Sequence, residues 1–273
     1  MLNINTNYGA SFAANAAKQT TKGLDSAIEK LSSGSRINYA RDDAAGQAVS
    51  MRLTAEVQGL ATASRNAADA QSMLDTAEGA MQETHSVLLR MRELAVQGAN
   101  GTLSDTDLDA LDAEFQQLEA EVDRIAANTA WAGKNLLTSL AVTFQVGTGN
   151  TSNDRISVTM PDADATSLGI TGGVAVTSMA GAQSAIAVLD TAISKISEER
   201  GRLGALSNRL GSTISNLDQV GVNLSQAKAR IQDTDFASVT SDLAKNQIMQ
   251  QAATAMLAQA NAGKGNVLTL IQG

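Results

Sequence analysis

The chain has 273 residues, 43% of them hydrophobic but only 3% aromatic, and a formal charge of −8. With no cysteine and a single proline it can have no disulfide framework, thiolate nucleophile or cysteine zinc cluster, and its long helices are spared their chief breaker. An acidic balance without any concentrated Lys/Arg face argues against nucleic acid or an anionic membrane as the main partner.

No run approaches the roughly 18 apolar residues of a membrane span. Met1 to Ala17 also lacks the basic start and apolar run of a secretory signal, so a soluble chain that does not use the general export route is expected. Residues Ile4 to Leu31 are rich in Ala, Asn, Gln and Ser, with a thin apolar stripe of Leu24, Ile28 and Leu31. Such a segment buries little per turn and is expected to order by packing against other copies. Asp42 and Asp43 then sit where an acidic cap opens a helix, and Gly98 with Gly101 closes it. Between them Leu53, Leu60, Ala67, Leu74, Met81, Leu88 and Ala95 recur every seven residues, widened by Met73, Ala80, Val87 and Leu94.

Ser104 followed by Asp107 predicts a capping box at the start of a third helix through Leu108, Leu111, Phe115, Leu118, Val122 and Ile125. The period then changes to two. Val142, Phe144 and Val146, answered by Ile156, Val158 and Met160 across a Gly147 to Asp154 turn, predict one β-hairpin. The Gly, Thr, Ser and Asp content through Gly173, with Pro161, predicts exposed loops. Leu189, Ile196, Leu203, Leu210, Leu217, Leu224 and Ile231 return to a strict heptad, with Ile186, Ile193 and Ile214 as the partner column. The two heptad helices should pack on one another with the third helix in a bundle. Leu243 to Ala260 carries a second thin stripe, Met249, Met256 and Ala260, and Gly263 and Gly265 predict turns.

The predicted fold is therefore mainly α, a long coiled-coil or helix-bundle rod built from the N- and C-terminal halves, with a small β-hairpin region. Residues 1–42 with 236–273 form terminal helices, 43–130 with 178–235 the bundle, and 131–177 the hairpin and loops.

Candidate chemistry is thin. His85 is the sole histidine and lies between Met81 and Leu88 with no serine or carboxylate motif around it, so it reads as a structural helix residue. Asp105, Asp107, Asp109 and Asp112 imitate a calcium loop, but Ala110 and Gln116 stand where glycine and glutamate are needed. An acidic first turn explains the same residues. No catalytic, cofactor or metal site is predicted.

Several ordered stretches resemble bacterial flagellin: Ile4-Asn5-Thr6-Asn7, Leu31 to Asn38, Asp42 to Gly46, Arg65-Asn66-Ala67 and Arg92 to Gln97 in the first half, and Gly204 to Leu210, Arg230 to Ala237 and Ala258 to Asn261 in the second. The resemblance implies a filament subunit with no catalysis, exported unfolded through the flagellar type III apparatus and polymerised beneath a cap, in which 1–42 and 236–273 form the inner core. A low-copy hook-filament junction protein is the alternative. It also implies an extracellular location, contact with cap and hook-associated proteins, and a cytoplasmic export chaperone gripping Phe236 to Gly273. By the same resemblance Arg90, Leu94 and Glu114 occupy contact positions for a vertebrate Toll-like receptor, but Leu89 replaces the expected polar residue, which counts against activation. The short centre implies that large outer domains are missing, and the lack of a proline near Gly263-Lys264-Gly265-Asn266 implies a looser terminal turn. The predicted assembly residues are Leu24, Ile28, Leu31, Leu243, Met249, Met256 and Leu257.

Overall fold

The computed structural model describes residues 6–172 and 174–272, with side chains described as far as Lys264. The helices are α1 (Tyr8–Ser33), α2 (Ala44–Gly98), α3 (Asp105–Asn128), the single-turn α4 (Ala165–Leu168), α5 (Met179–Gln232) and α6 (Phe236–Gln272). The strands are β1 (Ala130–Trp131), β2 (Lys134–Asn135), β3 (Ala141–Gln145) and β4 (Arg155–Thr159). The chain divides into two compact units, residues 1–55 with 223–273 and residues 56–222.

In the unit formed by 56–222 the core is a three-helix packing of α2, α3 and α5. The α2 heptad residues Leu74, Met81 and Leu88 are buried, as are Phe115 and Val122 of α3 and Leu189, Ile196, Leu203 and Leu210 of α5. Beside the α5 leucines the buried column is Ala185 and Ala192. The predicted partners Ile186, Ile193 and Ile214 are only half-buried, flanking the core. Alanine lets the neighbouring elements approach closely, and the larger isoleucines are displaced to the margin of the contact.

The helix starts follow their local chemistry. The Ser104 hydroxyl accepts from the Asp107 N–H while the Asp107 carboxylate accepts from the Ser104 N–H, completing the predicted box on α3. The Ser104 hydroxyl also donates to Asp107 Oδ2 at 2.6 Å, and this bond first, then that from the Ser104 N–H, holds the Asp107 carboxyl below its ordinary value. At the other end of the loop Gly98 is buried beneath Val176, whose Cγ1 would overlap any β-carbon placed there. Gly98→Ala is therefore expected to lower stability by about 1–3 kcal/mol, the usual cost of overpacking, read as a shift in the urea midpoint.

The β-hairpin forms in the predicted register, with Val142 opposite Val158 and Phe144 opposite Ile156. Ile156, Val158, Val146 and Met160 are buried, the last two just outside the strands. A second, two-residue hairpin, β1–β2, turns through Ala132 (φ 49) and Gly133 (φ 78), the positive-φ pair of a tight hairpin turn. Strands this short leave no periodicity in the sequence.

The segment from Met160 to Val176 corrects the expectation of exposed loops. Met160, Ala163, Ala165, Leu168, Ile170 and Val176 are all buried in the same core. A buried irregular segment needs partners for its backbone polar groups. Met160 N–H donates to Leu140 O (2.8 Å) and Ala163 N–H to Leu137 O (3.3 Å). Two α3 carboxylates take the next donors: Asp123 Oδ1 accepts from Ala165 N–H and Asp112 Oδ1 from Val176 N–H, both at 2.8 Å. The second carboxylate oxygen of Asp112 is also occupied, accepting from Gln116 Nε2 at 2.6 Å.

Gly263 and Gly265, predicted as turns with a loose end, lie within the unbroken α6 instead. The helix tolerates glycine here at a cost of about 1 kcal/mol per residue against alanine.

Candidate assembly interface

The other unit is built on α1 and α6. Asn7 caps α1, its Oδ1 accepting from Ala10 N–H at 3.1 Å, and the helix closes at Gly34 in the left-handed region (φ 69). Asp235 opens α6, its Oδ1 accepting from Ala237 N–H at 3.0 Å. The two helices run antiparallel, because contacts that rise along one fall along the other. Asn7 Nδ2 donates to Ala260 O at 3.1 Å, Asn246 Nδ2 lies 2.9 Å from where a β-carbon on Gly23 would stand, and Phe236 packs near Gly34.

The linkers that lead out of this pair are tied together. Ser35 bridges Asp233, Arg36 N–H donates to Gln232 O (2.6 Å), and Thr234 N–H donates to Gly34 O (3.0 Å). The Arg36 guanidinium adds a bond to Ile231 O at 2.8 Å. Asp42 accepts the N–H groups of Asn38 and Tyr39 in the following turn, and these bonds, Tyr39's foremost, hold its carboxyl below the ordinary range.

The seam between the helices is made of small residues. On α1 the buried positions are Ala13, Thr20 and Ala27, spaced by seven, and among the described side chains of α6 the buried residue is Ala253. Leu24, Leu31, Leu243 and Leu257, four of the predicted assembly residues, flank this seam and are half-buried. The other three, Ile28, Met249 and Met256, face away from it and are 50%, 46% and 53% exposed. Tyr8, Phe12 and Ile248, absent from the predicted set, are exposed still further, at 72%, 71% and 66%. Their sequence signal was the i, i+4 pairing of Tyr8 with Phe12 at the alanine- and asparagine-rich start of α1 and the adjacent Ile248-Met249 pair. The Ile4-Asn5 part of the flagellin-like stretch lies outside the described residues.

The predicted receptor-contact residues lie in the unit of 56–222. Arg90 donates from Nε and Nη2 to Glu114 Oε1 at 3.0 and 2.8 Å and from Nη1 to Glu93 Oε2 at 3.1 Å. These partners, Glu114 first, raise the Arg90 pKa. All three groups are solvent-exposed, and such pairs contribute little to stability. Leu94 is 1% exposed and belongs to the core, while Leu89 stands 43% exposed beside Arg90.

His85 is half-buried on α2. Among the described residues no group of three or more His, Cys, Asp or Glu is placed to hold a metal ion, and no helix is long and apolar enough to cross a membrane. The acidic run of α3 is occupied structurally, with Asp107 in the cap and Asp112 holding Val176.

Comparison with known proteins settles what this arrangement belongs to. The pattern described as the bacterial flagellin N-terminal helical region matches residues 4–141, and the one described as the bacterial flagellin C-terminal helical region matches residues 186–271. The chain belongs to the bacterial flagellin family. The chain is 44% identical to a flagellin of Halalkalibacterium halodurans over 90% of its own length and 91% of the relative's. It is 39% identical to the flagellar filament 31.3 kDa core protein of Treponema maltophilum over 98% of this chain and 99% of that one. A solved chain described as a flagellar hook-associated protein of Vibrio parahaemolyticus superposes with a TM-score of 0.60, covering 70% of this chain and all of that one, at 15% identity. That last likeness is one of fold alone.

Proposed function

We propose that the chain is the repeating structural subunit of a bacterial flagellar filament, serving swimming motility and held in the polymer through the outward faces of α1 and α6. One observation carries this reading: a helix pair whose own seam buries chiefly alanine exposes Tyr8, Phe12, Ile28, Ile248, Met249 and Met256. Exposed large apolar groups on so thin a seam gain most of their burial from further copies. The identity to a protein named as a filament core component supports the same role over the low-copy junction alternative, for which the support is fold likeness.

The chain performs no catalysis and acts outside the cell after export. Before assembly α6, with Leu243, Met249, Met256 and Leu257 along it, offers an amphipathic helix to a cytoplasmic export chaperone, and the finished polymer meets cap and hook-associated proteins at its ends.

Removing residues 1–31 and 236–273 tests the central role. The remaining fragment is expected to stay helical by circular dichroism and to form no filaments by electron microscopy, whereas full-length chain polymerises with a rise in helicity. Normal filaments from the fragment would refute the reading. Quantitative mass spectrometry of sheared appendages separates the alternatives, since a filament subunit dominates the sample and a junction protein is a trace component.

A further inference from the structure

The turn joining α2 to α3 contains the only Asn-Gly pair in the 273 residues, Asn100-Gly101. Both residues are exposed and lie outside the helices. The turn is held by the Asn100 N–H donating to Gln97 O at 3.2 Å and by a long 3.4 Å bond from Leu103 N–H to Asn100 O. The Gly101 N–H and the Asn100 carboxamide enter none of the hydrogen bonds among the described residues. An asparagine side chain and the next backbone nitrogen are thus left together, both unengaged and both in water.

We propose that Asn100 is a site of spontaneous covalent modification, deamidation through a cyclic imide formed with Gly101. The Gly101 backbone nitrogen attacks Asn100 Cγ, a C–N bond closes the five-membered ring, and the carboxamide nitrogen leaves as ammonia. Water then adds to one of the two ring carbonyls. Opening on one side gives aspartate; opening on the other gives isoaspartate, with the main chain rerouted through Cγ. No electrons are transferred, and the only co-reactant is water.

Position and residue type both select this site. Glycine has no β-carbon to obstruct ring closure, and its backbone reaches conformations that other residues avoid. Asn66, followed by Ala67 in α2, and Asn208, followed by Arg209 in α5, lie in helix interiors where the following N–H is committed to the helical ladder. At Asn100 no ladder protects the nucleophile. The product places a new carboxylate at the C-terminal end of α2, where the helix dipole disfavours negative charge. Isoaspartate also lengthens the main chain between buried Gly98 and the capping box at Ser104.

Full-length protein incubated for days at mildly alkaline and at mildly acidic pH, then digested with trypsin, tests the proposal. Asn100 is the sole asparagine in the fragment Glu93 to Arg124, so a gain of one mass unit there together with an isoaspartate signal reports the event. The fragment is expected to convert ahead of every other asparagine-bearing fragment and faster at alkaline pH. Gly101→Ala should lose most of the conversion over the same interval, and the turn has room for it, since the nearest atom to the added carbon is Met179 Sδ at 3.6 Å. An intact Asn100 while other asparagines convert, or equal conversion in G101A, overturns the proposal.

Discussion

Asp112→Ala is expected to destabilise the protein by about 2–4 kcal/mol, one of the largest losses available from a single polar side chain here. The carboxylate is 5% exposed, and its removal strands the N–H of buried Val176, while the amide of exposed Gln116, released with it, turns to water. A buried donor left without a partner costs about 1–3 kcal/mol, and a charge-assisted bond is lost in addition. Asp112→Asn keeps an acceptor for Val176 and should cost about 1 kcal/mol. Urea unfolding separates the two variants, and equal midpoints for wild type and D112A would show that Asp112 contributes nothing to holding the strap from Met160 to Val176. Hydrogen exchange at Val176 gives the local readout, with protection lost in D112A and retained in D112N.

The second large effect distinguishes the two faces of the α1–α6 pair. Met249→Glu combined with Met256→Glu alters side chains that are already 46% and 53% exposed, so the isolated chain should keep its helicity and unfolding midpoint. If those faces are buried between copies, each lost methionine removes about 1.5–3 kcal/mol of burial. The double variant then raises the critical concentration for polymerisation by about 100-fold or more. Leu243→Glu with Leu257→Glu strikes the half-buried flank of the seam instead and should weaken the pairing of α1 with α6 itself, visible as a smaller rise in helicity when the chain polymerises. Unchanged polymerisation of the methionine variant would remove Met249 and Met256 from the interface. Identical behaviour of the two variants would erase the distinction between the faces.

The inward and outward sets illustrate what a stripe can convey. Leu24 and Ile28 share one stripe in the sequence, yet Leu24 flanks the seam while Ile28 projects from it. A helical stripe wider than one contact line serves two neighbours, and periodicity alone cannot assign residues between them. Tyr8 and Phe12 carry no periodic signal, because two aromatics in a run of alanine and asparagine form no repeat. The small hairpin at Ala132-Gly133 offers too few residues for a period, and the helical glycines of α6 carry a turn signal that the helix overrides.

The heptads of α2 and α5, the Ser104–Asp107 box and the Val142 to Met160 register were determined by the sequence itself, because each rests on interactions within a few residues or on a strict period. Tertiary structure alone decided that Ala185 and Ala192, rather than Ile186 and Ile193, fill the contact beside the leucines, since close packing selects for fit and not for hydrophobicity. It alone also turned a polar, glycine-rich stretch into buried strap. The carboxylates that satisfy its backbone, Asp112 and Asp123, lie 64 and 42 residues away in the chain, a distance at which local pattern carries no information.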